Sequence, residues 1–310
     1  MKKDYSTYTS FGVLLFLLTT SPLLKAQLSF WDLQDKPIYQ SVEEGLQQPN
    51  EVFRLDLSYK SLSFLPYNLE KFTELQEINL SYNPKLNLFH VVDVLAKFPK
   101  LEILNVSYNN IQQIPDNITI LKNLKELNIV GNNVRHEDDI KNLMQLKNLS
   151  HLAWDDNGLK RVPANIGDLV QLRTLSLANN QIPSLPTEIG RLTNLHSLNL
   201  ANNPLKSLPT EMEGLAQLRF LALDLRNQAL NSDDIFEILS RLPIEDLEIH
   251  HFNGAKLSQE ITFWKKLVTI GLKESSGLDV EAAVKQFAAL PHLEALDLSG
   301  LNIKTIPADI

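Results

Sequence analysis

The sequence predicts an α/β solenoid. It is a curved stack of short repeated units, with a parallel β-sheet along the concave side and turns, 3₁₀ pieces and short α-helices along the convex side. Three observations predict it. Leu172, Leu175 and Leu177 are followed by Asn180, Ile182, Leu185 and Pro186, and 23 residues later Leu195, Leu198, Leu200, Asn203, Leu205, Leu208 and Pro209 repeat that spacing. The first apolar position of such a unit recurs at Val52, Leu75, Leu101, Leu124, Leu149, Leu172, Leu195, Leu218, Ile244, Leu267 and Leu293, always 23, 25 or 26 residues apart. No Gly/Ser-rich linker or charge run divides these eleven starts, so they read as one array. A single unit cannot bury its own leucines, whereas stacked units share a continuous core.

Each element of the unit follows from its residues. The Leu-x-Leu pair alternates inward and outward, as a short strand with one buried face must. The asparagine comes where the chain turns, and its side chain can bond backbone groups that the strand ladder no longer serves. Leu-Pro then carries the chain along the convex side in a form that is not a long helix, because proline forbids continuation. The full pattern is L-x-x-L-x-L-x-x-N-x-L-x-x-L-P. It resembles leucine-rich repeat proteins of the short type, mixed here with longer units, and is similar to exported bacterial members. The resemblance implies a horseshoe-shaped solenoid.

Along the chain, Lys2 and Lys3 precede an apolar run from Phe11 to Leu18 and then Thr19, Thr20, Ser21 and Pro22. This is the layout of a signal peptide over residues 1–26, with a cut after Ala26, and the run is short for a membrane span. The expectation is a secreted, periplasmic or cell-surface protein with no membrane insertion after cleavage. Residues 27–51 form an N-terminal cap in which Pro37 opens a helical face of Ile38, Val42 and Leu46. The array occupies residues 52–310. Short units carry Leu65-Pro66, Ile114-Pro115, Val162-Pro163, Leu185-Pro186 and Leu208-Pro209, which predict turns or 3₁₀ pieces. Longer units carry helical faces at Val91, Val94 and Leu95, at Ile140, Leu143 and Met144, at Ile235, Ile238 and Leu239, and at Ala283, Phe287 and Leu290. Six consecutive units hold the asparagine, from Asn83 to Asn203. The last four put Arg226, Phe252, Ser275 and Leu301 at that offset, with Asn227, Asn253 and Asn302 one residue away. Ile306-Pro307-Ala308-Asp309-Ile310 repeats Leu185–Ile189 and stops within a unit. That reads as a piece of a longer protein, or as an array with an apolar end.

Composition narrows the chemistry. The formal net charge of −8 disfavours nucleic acid and anionic membranes as partners. The absence of cysteine removes disulfides, thiolate metal sites and cysteine nucleophiles together. The seven histidines are scattered over different units, and no G-x-S-x-G, P-loop, H-E-x-x-H or EF-hand pattern occurs. The expectation is a non-enzyme without cofactor or metal. Glu248 and His250 share a strand face, but two ligands do not make a metal site. Trp154 is in register with Leu177, so it reads as core filling.

Recognition is then left to the outward strand positions. One row runs Asp56, Asn79, Asn105, Asn128, Ala153, Ser176, Asn199, Ala222, Glu248, Gly271 and Asp297. A second runs Ser58, Ser81, Ser107, Val130, Asp155, Ala178, Ala201, Asp224, His250, Lys273 and Ser299. Eleven strands make a face on the order of 50 Å long, large enough for a protein partner. Tyr59, Tyr82 and Tyr108 add an aromatic row at the strand exits. The candidate partner-binding residues are Tyr59, Tyr82, Tyr108, Asp155, Asp224, Glu248 and His250. The functional expectation is a protein- or peptide-binding module working through its concave face. The alternatives are a structural or adhesion spacer of a longer surface protein, and a carbohydrate or cell-wall binder.

Overall fold

The structure, a computed structural model, describes residues 28–301 except 136–140, 227–231, 253, 255 and 276. The signal segment, Ile140, Asn227, Asn253, Asn302 and the terminal Ile306–Ile310 motif lie outside the described residues.

The N-terminal segment differs from the expected helix. Helix α1 (Phe30–Gln34) is capped by Ser29, whose hydroxyl accepts the Asp32 N–H. Ile38 lies on a strand instead, β1 (Ile38–Tyr39), which pairs with the first repeat strand. The helix begins only at α2 (Val42–Gly45). The reason is a local cap that outweighs the apolar spacing: the Ser41 hydroxyl accepts the Glu44 N–H, and the Glu44 carboxylate takes the Gln40 N–H. Val42 joins the core, Lys36 sits over the Phe53 ring, and the Arg54 guanidinium donates to Gln34 O.

Among the described residues the sheet has twelve parallel strands in sequence order. After β1 come β2 (Arg54–Asp56), β3 (Glu77–Asn79), β4 (Ile103–Asn105), β5 (Glu126–Asn128), β6 (His151–Ala153) and β7 (Thr174–Ser176). They are followed by β8 (Ser197–Asn199), β9 (Phe220–Asp224), β10 (Asp246–His250), β11 (Thr269–Lys273) and β12 (Ala295–Asp297). The eleven repeat starts each lead into one strand; β1 is the extra one. The register stacks the inward residue of each strand on the next, from Leu55, Ile78 and Leu104 through to Ile270 and Leu296. All are buried except Leu296 on the last strand, which is half-buried. At each strand start one carbonyl accepts two N–H groups of the next unit, as Phe53 O does from Gln76 and Glu77 at 2.9 and 3.0 Å.

The convex side follows unit length. Pro66, Pro115, Pro163, Pro186 and Pro209 each stand extended before a 3₁₀ turn: Tyr67–Lys71, Asp116–Ile120, Ala164–Asp168, Thr187–Arg191 and Thr210–Gly214. Proline suits this place because an N–H on the residue before a helical turn has no partner within the turn, so nothing is lost by lacking one. The middle residues Leu69, Ile118, Ile166, Ile189 and Met212 are buried. Units of 26 residues use their extra length for α3 (Leu88–Leu95), α4 (Ser232–Ser240) and α5 (Val280–Phe287). The 25-residue unit has a 3₁₀ turn, Leu143–Gln145, among its described residues, with Leu143 and Met144 buried. Convex turns stack tightly. A Cβ at Gly190 would lie 2.1 Å from Glu211 O, so only glycine fits there.

The asparagines form a buried ladder between units. Asn180 is typical. Its amide nitrogen donates to Trp154 O, Leu177 O and Ala178 O, and its oxygen accepts the N–H groups of Asn157 and Leu159. Asn83, Asn132 and Asn203 make comparable sets that also reach back into the preceding unit. After Asn203 the device changes. Ser275, fully buried at the same offset, accepts the Phe252 N–H and donates to Lys273 O.

Candidate functional site

Strand geometry places three outward columns on the concave face, one more than the sequence rows identified. The added column comes from the residue that opens each strand: Arg54, Glu77, Ile103, Glu126, His151, Thr174, Ser197, Phe220, Asp246, Thr269 and Ala295, all in register. The period-2 alternation that identified the other rows, carried back by one step, finds it.

The middle column closes the strand ends. The side chains of Asp56, Asn79, Asn105, Asn128, Asn199 and Asp297 each accept the N–H two residues on. Ser176 cannot reach in this way. Asp155 from the preceding unit does the work instead: one oxygen takes the Ala178 N–H at 2.6 Å and the Ser176 hydroxyl at 2.5 Å. Burial pushes the Asp155 carboxyl up to about 6, against these two hydrogen bonds. Asp155 therefore ties two units together.

Asp224 is enclosed, with none of its side chain exposed, so as an exposed partner contact the residue is corrected to a buried ion. Arg226 grips it through Nε at 2.9 Å to both carboxylate oxygens and also donates through its backbone N–H; His251 Nδ1 lies 3.0 Å from Oδ2. Burial alone would raise the Asp224 carboxyl, but the Arg226 contacts hold it below the usual range. The network extends to Asn202 through Arg226 and to Glu274 through His251. Where the asparagine ladder ends, these charges span the same unit boundaries.

Glu248 and His250 do share a face, 3.5 Å apart, and Lys273 reaches both Glu248 and Asp297 at 3.1 and 3.9 Å. The His250 hydrogen bond and Lys273 keep the Glu248 carboxyl below its ordinary value against the effect of burial. Among the described residues no group of three or more His, Asp or Glu side chains could hold a metal ion. Trp154 fills the core as expected, fully buried, with its indole N–H on Val134 O at 3.0 Å.

The tyrosines form a stack. Rings of Tyr59 and Tyr82 lie 4.2 Å apart at 9°, and those of Tyr82 and Tyr108 lie 4.6 Å apart at 14°. All three have positive φ, near 57°, the left-handed turn that starts each return path. A side chain there costs on the order of 1 kcal/mol, which the stacking offsets. The row ends where Gly131 takes the position, since a Cβ there would sit 2.3 Å from the Tyr108 ring. Burial, with the neighbouring hydroxyls of Tyr59 and Tyr108, pushes the Tyr82 phenol up to about 12. The ring faces are spent on one another and on Gly131. What the row offers a partner is its edges and hydroxyls, together with the outer face of Tyr59, which is 68% exposed. For stacking on a sugar the row offers one free ring face, that of Tyr59.

The column that the sequence rows omitted holds the most perturbed pair. Glu126 and His151 face each other across β5 and β6. Burial first, then the Glu77 charge, pushes the Glu126 carboxyl up to about 7. Burial first, then Arg173, lowers the His151 imidazole to about 4. His151 Nδ1 lies 2.8 Å from the Ser150 hydroxyl. Among the described residues no donor reaches the Glu126 carboxylate. Phe220 in the same column packs on a small apolar cluster of Ala178, Ala201 and Ala222.

The family model described as a leucine-rich repeat region matches residues 156–275, and the leucine-rich repeat model matches residues 100–121. No curated protein matches the chain. Among solved structures, Toll in the Drosophila Toll–Spatzle complex superimposes with a TM-score of 0.59 at 20% identity, over 84% of this chain and 35% of that one. A leucine-rich repeat protein of Leptospira interrogans is 23% identical over 88% of this chain and 90% of its own, with a TM-score of 0.46. An internalin of Listeria monocytogenes is 18% identical over 83% and 84%, with a TM-score of 0.47. The repeat pattern, the two family matches and the one-sheet solenoid together give this chain the leucine-rich repeat fold.

Proposed function

We propose that the chain is an exported, non-enzymatic binding module that holds a protein or peptide on its concave face. The leucine-rich repeat fold is a protein-interaction scaffold in general, and proteins built on it are typically non-enzymatic. The observation that carries the reading is the concave sheet itself: an uninterrupted in-register face whose three outward columns have no covering element among the described residues. Toll, which shares the fold, is complexed with Spatzle in its structure. Export rests on the Lys2-Lys3 and Phe11–Leu18 pattern. Among the described residues no helix is long and apolar enough to cross a membrane.

The test uses a matched pair of substitutions. Thr174→Arg stands in the opening column of the concave face, and Thr210→Arg stands on a convex 3₁₀ turn. Proteins that co-purify with the exported wild type should lose at least about tenfold in affinity for Thr174→Arg, since a long charged side chain blocks close approach. They should bind Thr210→Arg unchanged. The reverse ranking contradicts the concave reading.

A further inference from the structure

Seven carboxylates reach the three concave columns outside the enclosed Asp224: those of Asp56, Glu77, Glu126, Asp155, Asp246, Glu248 and Asp297. The same columns carry only two cations, and both are engaged. Arg54 is on Glu77 at 2.7 Å, and Lys273 is between Glu248 and Asp297. The remaining acids have hydrogen-bond donors of their own: Asp56 and Asp297 hold backbone N–H groups, Asp155 holds Ala178 and Ser176, and Asp246 accepts the Thr269 hydroxyl. Glu126 is the exception. It stands half-buried between Ile103 and His151, in register with both, and among the described residues it has no donor. A carboxylate taken from water without a partner is unfavourable unless the missing cation arrives from outside.

The groups around it do not supply that cation. Glu77, two strands away, is tied to Arg54 and adds like charge. Lys125, the residue just before Glu126, pairs with Glu102 at the start of β4. On β4 the facing residues are Ile103 and Asn105, which do not titrate, and Asn128 on its own strand carries no charge, its side-chain oxygen accepting the Val130 N–H. His151 is on β6, with Arg173 beyond it.

We propose that the concave face takes a basic polypeptide segment, and that Glu126 is the seat for one of its lysine or arginine side chains. The inference rests on the concave-face reading above and adds the partner's chemistry. Burial and the Glu77 charge put the Glu126 titration near 7. A proton therefore competes with the partner's cation in the neutral range, and docking is tighter at pH 8 than at pH 6.5. The neutral His151 beside it adds no repulsion over that range.

The test measures fluorescence anisotropy of labelled ten-residue Lys-Ser, Glu-Ser and Gly-Ser repeat peptides with the full chain at fixed salt. The Lys-Ser peptide should bind and the other two should not. Its affinity should rise several-fold, about three- to tenfold, from pH 6.5 to 8. Glu126→Gln, which keeps size and shape, should weaken it about tenfold at pH 8 and flatten the profile. Near-UV circular dichroism confirms that both variants are folded. If Glu126→Gln binds Lys-Ser as well as wild type with the same pH slope, the Glu126 seat is overturned. If Thr174→Arg abolishes binding in that same case, the concave reading survives without the seat. If neither variant matters, the peptide binds by general charge attraction elsewhere and both readings fail. Equal binding of the Gly-Ser peptide overturns the basic partner.

Discussion

Replacing Asn180 by alanine is expected to cost about 3–5 kcal/mol of stability, more than most substitutions of a leucine at the surface of the stack. The side chain serves five backbone groups at once: the N–H groups of Asn157 and Leu159 and the carbonyls of Trp154, Leu177 and Ala178. Each buried group left without a partner costs roughly 1–3 kcal/mol, and partial relaxation keeps the sum below the full total. Urea unfolding of Asn180→Ala beside Asn202→Ala checks this. Asn202 is exposed on the left-handed turn, and its side chain bonds the polar side chains of Asn179 and Arg226. Its loss should cost at most about 1 kcal/mol. Equal effects of the two would show that the ladder does not bear the load assigned to it.

Replacing Glu126 by glutamine is expected to stabilise the chain at pH 8 by about 2–3 kcal/mol. The sign follows from the folded titration near 7, above the ordinary 4.5. Between these values the folded state holds a proton that the unfolded state has released, so stability falls as pH rises from about 4.5 to 7. Glutamine never ionises, so the variant should match wild type near pH 4.5 and diverge from it up to pH 8. His151 acts in the opposite sense. Its folded titration near 4 lies below the ordinary 6.5, so its contribution is present above pH 6.5 and lost as pH falls toward 4. The two partly cancel in wild type, and thermal unfolding of Glu126→Gln against wild type over pH 4.5–8 separates them. A gain in stability paired with a loss of peptide affinity is what a binding residue held in an unfavourable state should show.

The repeat was legible in the chain because burial writes it there. Leu172, Leu175 and Leu177 must face inward in every unit, and Asn180 must face the turn, so spacing alone locates strands and ladder. Trp154 was legible for the same reason. The convex side could also be read, because a proline stops a helix and three extra residues permit one. The N-terminal segment misled at Ile38: its apolar spacing suits a helix, but the Ser41–Glu44 cap starts the helix later and leaves Ile38 to pair with Arg54. The site was harder to read. Asp155 and Asp224 are outward by alternation, yet cross-unit hydrogen bonds and Arg226 engage them in the scaffold. The Asp155 bonds and the His251 contact join residues 21 to 27 positions apart, which spacing within one unit does not report; Arg226 is only two residues from Asp224, but alternation gives a residue's face and not its ion pairs. Glu126 is hidden for a simpler reason: it precedes the first buried leucine of its strand, Leu127, outside the stretch that the repeat pattern marks.

The concave columns, and not the exposed convex aromatics Tyr67, Phe89 and Phe263, are the proposed working surface. Hydroxyl-radical footprinting of the chain with and without its co-purified partner tests it most directly, because it reads side-chain access residue by residue. Protection of Ile103, His151 and Phe220, with Tyr67, Phe89 and Phe263 unchanged, is the result expected. Protection confined to Tyr67, Phe89 and Phe263 would contradict it.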